Sequence, residues 1–216
     1  MQRPREWRAP DPLPGHRETS RLVLRWWRSE DAPAMLAAID VDRAALAQFV
    51  PWPLGDNRDL AEVFYNVERF RRTREADELP TDYAIGIFDR ETGDAIGGTG
   101  FHRIDFETSR AEVGYWIRPD RQRQGLATEA TAEMLSWGFA PQAEGGWGFR
   151  RIVILCAEPN VGSRRVPEKL GLRREMHACR DRWLEGAGWV DTLGFGIGAD
   201  EWDPVALRAK SGVAPR

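Results

Sequence analysis

Cysteine is scarce in this chain of 216 residues: Cys156 and Cys179 stand far apart, with no CxxC or Cys/His spacing around either. That argues against a zinc site and reads as two reduced, buried thiols. Long apolar runs are also missing. The longest, Ile152 to Ala157, is far short of the roughly 20 residues that cross a bilayer, and the N-terminus has no apolar signal core. No membrane partner is expected, and the chain reads as cytoplasmic. Nor is there an excess of positive charge: 31 Lys and Arg face 34 Asp and Glu, for a net charge of -3. Such a chain has no general attraction to phosphate backbones, so nucleic acid is not an expected partner. The three histidines, His16, His102 and His177, form no ligand spacing, and neither HExxH nor GxxxxGK[ST] occurs. No metal is expected, and His102, inside a strand, reads as a structural histidine.

What is present describes a packed protein. Hydrophobic residues at 42% and charged residues at 30% are enough to bury a core, and the length suits one domain. The ten tryptophans read as core and rim packing. Residues 1–18, with four prolines among charges, are expected to be a flexible tail, residues 19–203 the folded domain, and residues 204–216 a frayed end.

Along the chain, Arg21 to Trp27 alternates at period two and predicts a strand, and Ser29 with Glu30 and Asp31 starts a helix reaching about Ile39. Leu60, Val63, Phe64, Val67 and Phe70 recur at helical spacing, as one stripe expected to face the core. Tyr83 to Phe88, Ala95 to Ile104 and Ala111 to Arg118 predict three strands of an antiparallel meander. A helix over Ala127 to Phe139, a buried strand over Arg151 to Ala157, a helix from about Val161 to Leu170, and two strands near 175–183 and 189–197 follow. The glycines of Gly194 to Gly198 lie at the end of the last strand with no helix after them, so they read as strand packing. The fold class is α+β: a mixed, largely antiparallel central sheet with helices on both faces.

The segment Pro119 to Thr128 follows a strand and opens a helix, which gathers unpaired backbone N–H groups at one helix N-terminus. Gly125 clears a side chain where a ligand must approach the backbone, and Arg121 and Arg123 flank it with positive charge. The chemistry called for is a phosphate.

Gln122-Arg-Gln-Gly125-Leu-Ala127 resembles the Q/R-x-x-G-x-G/A signature of the GNAT acetyltransferase superfamily. Asn160 to Gly171 resembles that superfamily's second coenzyme-binding segment, and Ala111 to Ile117 with the Thr-Glu-Ala after Ala127 is similar to its ribosomal-protein N-terminal acetyltransferase branch. The resemblance covers roughly Arg21 to Trp202. It implies the GNAT acyl-CoA N-acyltransferase fold, with acetyl-CoA as co-substrate in a cleft between the fourth and fifth strands. By position, it implies backbone contacts from Ile117, a pyrophosphate held by Gln122, Arg123, Gln124, Gly125, Leu126, Ala127 and Thr128, and Asn160 and Ser163 at the pantetheine or thiol end. Asn160 could equally be a plain helix cap.

The implied activity is direct transfer of an acetyl group to an amine, either a protein or peptide N-terminal amine or a small-molecule amine. A non-catalytic acyl-CoA-binding module and an antibiotic-modifying acetyltransferase are the alternatives, and a homodimer is left open. Where many family members carry a tyrosine to protonate the leaving thiolate, this chain has Pro167, which leaves Ser163 as the nearest donor. For the base, alternation puts Glu112 on one face of its strand with Gly114 and Trp116, and Glu112 is expected to take the amine's proton. The competing reading of Glu112 is a salt bridge to Arg110 or Arg103. Asp40, Asp42, Asp56, Phe49 and Trp52, in the connection before the second helix, are expected on the acceptor side.

Overall fold

Strand β5 (Arg110–Ile117) shows why the chain folds in layers: Ala111, Val113 and Ile117 are buried, while Glu112, Gly114 and Trp116 between them are half-buried. Each strand residue points to the face opposite its neighbours, so one strand serves two different layers. The computed structural model describes residues 7–75 and 80–205. Around β5 lie β1 (His16–Glu18), β2 (Leu22–Trp26), β3 (Tyr83–Asp89), β4 (Ala95–Asp105), β6 (Arg151–Ala157), β7 (Arg173–Leu184) and β8 (Gly188–Gly198). They form one sheet in the order β1-β2-β3-β4-β5-β6-β8-β7. Every pairing is antiparallel except β5 with β6.

Helices α5 (Leu126–Phe139) and α6 (Val161–Lys169) cover the face that holds Val113 and Ile117. The other face carries α1 (Ala32–Asp40), α2 (Arg43–Ala47), α3 (Trp52–Gly55) and α4 (Leu60–Arg74), whose smaller core gathers Met35, Ile39, Val63 and Val67 around Trp27 and Phe88. Helix α4 begins where Asp59 accepts the Glu62 N–H, a cap that satisfies one of the free donors at a helix start. Its expected stripe is narrower than the spacing suggested. Val63 and Val67 are buried, whereas Leu60 and Phe64 are exposed, because one turn of the helix edge faces outward rather than the sheet.

The N-terminal segment departs from the expected tail. Trp7 is 5% exposed, donates its indole N–H to the Trp147 carbonyl at 2.8 Å, and stacks on Phe149 at 4.9 Å. Further on, His16–Glu18 pairs with β2 as a sheet edge. Prolines fix an extended backbone that an edge strand can use, and burying one tryptophan offsets the cost of ordering the segment. Of the expected tails, residues 1–6 and 206–216 lie outside the described part.

The feature that matters for function is where the sheet opens. β5 and β6 pair only at Arg110 with Arg151, Ala111 with Ile152 and Glu112 with Val153. Beyond that point β6 stays with β8 over its whole length, while β5 stays with β4 up to Ile117. A cleft therefore opens between the fourth and fifth strands of the sequence reading, β5 and β6 here.

Candidate active site

At the mouth of the cleft, Pro119 ends β5 and a short turn leads to Gly125, which caps α5 with φ 81, a conformation glycine adopts at no steric cost. Among the described residues, no acceptor faces the backbone N–H groups of residues 124–128. These groups and the helix dipole make a positive concavity at the head of α5. Leu126 is buried and anchors the turn from below. Gln122 braces it from behind by donating its side-chain N–H to the Ile117 carbonyl at 3.0 Å.

Three residues to which the sequence reading gave no role, Thr19, Arg21 and Glu129, hold the loop in place. Arg21 donates to the Gln124 carbonyl at 3.0 Å and to Glu129 at 2.7 Å, and Thr19 donates to Glu129 at 2.5 Å. Burial pushes the Glu129 carboxyl up, but the Thr19 and Arg21 hydrogen bonds outweigh it and hold the carboxyl below its usual range. Glu129 is therefore a charged tie between the β1–β2 turn and the helix head. Of the two flanking arginines, Arg121 is not free for a ligand, because it pairs with Asp89 at 2.5 Å. Arg123 is exposed, with φ 59.

Inside the cleft, the Arg118 N–H bonds the Ile96 carbonyl on β4. Backbone groups alternate sides along a strand, so those of Tyr115 and Ile117 point away from β4, toward the opening. On the far wall Asn160 caps α6, accepting the Ser163 N–H at 3.0 Å, so its alternative role as a helix cap is realised.

A proline inside a helix ordinarily shortens or kinks it, yet α6 runs through Pro167 to Lys169. The missing Pro167 N–H would have served the Ser163 carbonyl four residues back, and the Tyr115 hydroxyl donates there instead at 2.9 Å. Ser163 Oγ in turn donates to Tyr115 Oη at 3.3 Å. Burial pushes the Tyr115 hydroxyl up, so it stays protonated. Pro167 and Tyr115 thus form a matched pair that joins the two walls of the cleft.

The opposite face of β4 and β5 is built from side chains. Glu112 lies across from His102, Gly114 across from Gly100, and Trp116 across from Gly98. Trp116 packs on Trp52 of α3 at 5.2 Å, which brings that residue of the expected acceptor-side connection to the sheet. Asp40 and Asp42 of the same connection do local work, pairing with Arg43 and capping α2. A bulge after His102, with Arg103 at φ 47, brings the Arg103 guanidinium to Glu112 at 2.6 Å. The carboxylate expected to act as base is thus engaged by one of the two arginines foreseen as its partner. His102 Nδ1 lies 3.1 Å from Asp82, just before β3, and the hydrogen bond from His102 holds the Asp82 carboxyl below its usual range.

Away from the cleft, His177, Cys179 and Asp191 come together across β7 and β8, with ligand-type atoms within 4.8 Å of one another. No linear spacing announces this group, because a strand contact between distant residues makes it. Asp191 already accepts from the Arg180 N–H at 2.9 Å and sits 2.6 Å from His177 Nε2. Cys156 is buried as expected, but Cys179 is exposed, because it lies at an irregularity of the edge strand. No described helix is long and apolar enough to cross a membrane.

The chain is similar to several known proteins. Residues 21–173 match the family model described as an acetyltransferase (GNAT) domain. The uncharacterised N-acetyltransferase p20 of Bacillus licheniformis is 40% identical over 159 residues, 73% of this chain and 82% of its own length. The uncharacterised N-acetyltransferase YoaA of Bacillus subtilis is 28% identical over 168 residues, again 73% and 82% of the two chains. Among solved structures, a ribosomal α-N-protein acetyltransferase, RimL, in complex with coenzyme A shares the fold with a TM-score of 0.73. It is 20% identical and covers 85% of this chain and 97% of its own.

Proposed function

This chain belongs to the GNAT acetyltransferase family and is an acetyl-CoA-dependent N-acetyltransferase; from that premise we propose that its acceptor is the N-terminal amine of a protein or peptide. The observation that carries the site assignment is the set of unpaired N–H groups at residues 124–128, beside the only parallel pair of the sheet among the described strands. A pyrophosphate fits there by charge and by approach to bare backbone. We assign it to Gln122, Arg123, Gln124, Gly125, Leu126, Ala127 and Thr128, with main-chain N–H groups as the donors and Arg123 as a cation that has no ion-pair partner among the described residues. Gln122 acts through its brace on Ile117. The backbone of Tyr115 and Ile117 pairs with the pantetheine amides, as a strand edge pairs with any extended polyamide.

The acceptor assignment draws on relatives. The solved RimL structure bears the name of a ribosomal α-N-protein acetyltransferase, and His102, Gly114 and Trp116 lie together on one face of β4 and β5. The amine lone pair attacks the thioester carbon, the C–S bond breaks, and backbone N–H groups of the splayed strand steady the oxyanion. We assign Ser163 Oγ–H, which rests on Tyr115 Oη, as the donor that turns to the departing sulfur, and Asn160 holds the start of α6 beneath it. Glu112, held by Arg103, supplies the negative charge that draws an ammonium onto this face. We place the reaction in the cytoplasm, where acetyl-CoA is made and exposed Cys179 stays reduced.

The test is an acceptor panel with acetyl-CoA, scored by free thiol and by mass of the product. Peptides with free N-termini should gain one acetyl group on the α-amine for each thiol released. Turnover of aminoglycosides or polyamines with inert peptides would move the acceptor to a small molecule.

A further inference from the structure

Where the coenzyme's reactive end lies follows from the cleft. An extended chain that leaves the head of α5 and pairs along β5 from Ile117 back to Val113 covers about 13 Å, at 3.3 Å per residue. It then reaches the point where β5 and β6 close at Glu112 and Val153. The thioester therefore ends beside Gly114. On the α5 side that position is walled by the buried Val113 and Ile117, so an amine comes from the other face.

On that face the nearest polar ring is His102. A Cβ built on Gly100 would lie 2.8 Å from His102 Nε2, and one built on Gly114 would lie 3.5 Å from it. The imidazole thus rests on two glycines, with its Nε2 edge over the place where side chains would otherwise stand. Its other nitrogen is fixed by Asp82 at 3.1 Å. A carboxylate beside Nδ1 accepts a hydrogen from it, and in the tautomer that places the hydrogen there Nε2 offers its lone pair to a ligand. The ring is 32% exposed, enough to be reached from the groove, whereas Glu112 is 16% exposed and paired with Arg103.

We propose that His102, oriented by Asp82, takes the proton from the attacking amine, with Glu112 as the electrostatic neighbour rather than the base. The inference rests on the acetyl-transfer reading above. The acceptor arrives as R–NH3+ and gives one proton to Nε2, and the freed lone pair attacks the acetyl carbon. The second N–H proton is lost as the tetrahedral intermediate collapses, the C–S bond breaks, and the sulfur leaves as the thiol with one proton. His102 returns its proton to solvent, so one amide, one free coenzyme thiol and one proton result. Imidazole suits this step because it exchanges a proton near neutral pH and needs no oxidant or metal. Asp82 is a positioning residue, holding the tautomer as a carboxylate does behind any imidazole base.

The experiment uses the full chain with acetyl-CoA and the best peptide from the panel, measuring kcat, KM and acetyl-CoA affinity. His102→Ala should lower kcat by roughly a hundredfold or more with acetyl-CoA affinity unchanged, and added imidazole should restore part of the rate. Asp82→Asn should lower kcat by roughly tenfold with the same KM for acetyl-CoA, because only the ring's orientation is lost. Glu112→Gln should keep a kcat well above that of His102→Ala. Near-normal turnover in a folded His102→Ala, or a loss that imidazole cannot restore while Glu112→Gln is equally dead, overturns the assignment. If the unaltered chain acetylates no amine at all, it is the transfer reading that fails. Turnover by the unaltered chain with an indifferent His102 defeats this inference alone.

Discussion

In the proposed assignment, the two faces of β5 hold the two substrates by different means. On the α5 side the ligand-facing groups are main chain: N–H groups at 124–128 and the strand edge at Tyr115 and Ile117, steadied by Arg21, Glu129 and Gln122 from behind. On the other side they are side chains drawn from four elements: His102 from β4, Glu112 and Trp116 from β5, Trp52 from α3, and Asp82 ahead of β3. Main-chain recognition suits a cofactor that never changes, since a loop backbone offers the same donors whatever residues it carries. Side-chain recognition suits an acceptor that differs between relatives, since single substitutions can retune it.

The largest expected effect breaks the main-chain half. Gly125→Val puts a β-branched residue at φ 81 and a side chain in the path of the pyrophosphate. Acetyl-CoA affinity measured by calorimetry should fall at least tenfold, about 1.4 kcal/mol, while the fold survives. An unchanged affinity would mean that the loop does not carry the phosphates.

A second test asks whether the two walls are coupled as described. In the unaltered chain, Tyr115→Phe strips the Ser163 carbonyl of its donor and should cost about 1–2 kcal/mol of stability. In a Pro167→Ala background the restored N–H serves that carbonyl, so the same change should cost almost nothing. A coupling of about 1 kcal/mol or more in the double-mutant cycle is the expected reading, and simple additivity would separate Tyr115 from Pro167.

A smaller effect sharpens the role of the loop's tether. Because the folded state lowers the Glu129 carboxyl, its contribution is fully present above the ordinary glutamate range and is lost as pH falls through the lower folded value. Glu129→Gln should cost on the order of 1 kcal/mol at pH 7. The gap from the unaltered chain should close on acidification below about pH 4. A gap that stays constant with pH would assign the effect to packing rather than charge.

The same division explains what could be read from the chain alone. The phosphate loop is local, so Pro119, Gly125 and the helix start carry their own signal within ten residues, and the strands around them show clean period-two alternation. The turn and the helix head were legible for that reason. Arg21 and Glu129 meet across more than a hundred residues, and nothing near either announces the other. Trp7 was hidden by its prolines, which mark an ordered edge as readily as a loose tail. The contact of His102 with Asp82 was not foreseen, because a lone histidine in a strand is ordinary, and only the bare glycines beside it, paired through the sheet, give its ring somewhere to lie. Glu112 could be placed on its face with Arg110 or Arg103 as a partner, but the choice of Arg103 depends on a bulge that alternation does not foresee.

Hydrogen exchange of backbone amides, with and without acetyl-CoA, tests the division most directly. Main-chain recognition predicts strong protection on binding for residues 123–128 and for Tyr115 and Ile117, with little change over residues 98–103 and in α3. Protection concentrated on residues 98–103 and α3, with residues 123–128 exchanging as before, would contradict it and put the coenzyme on the other face of the sheet.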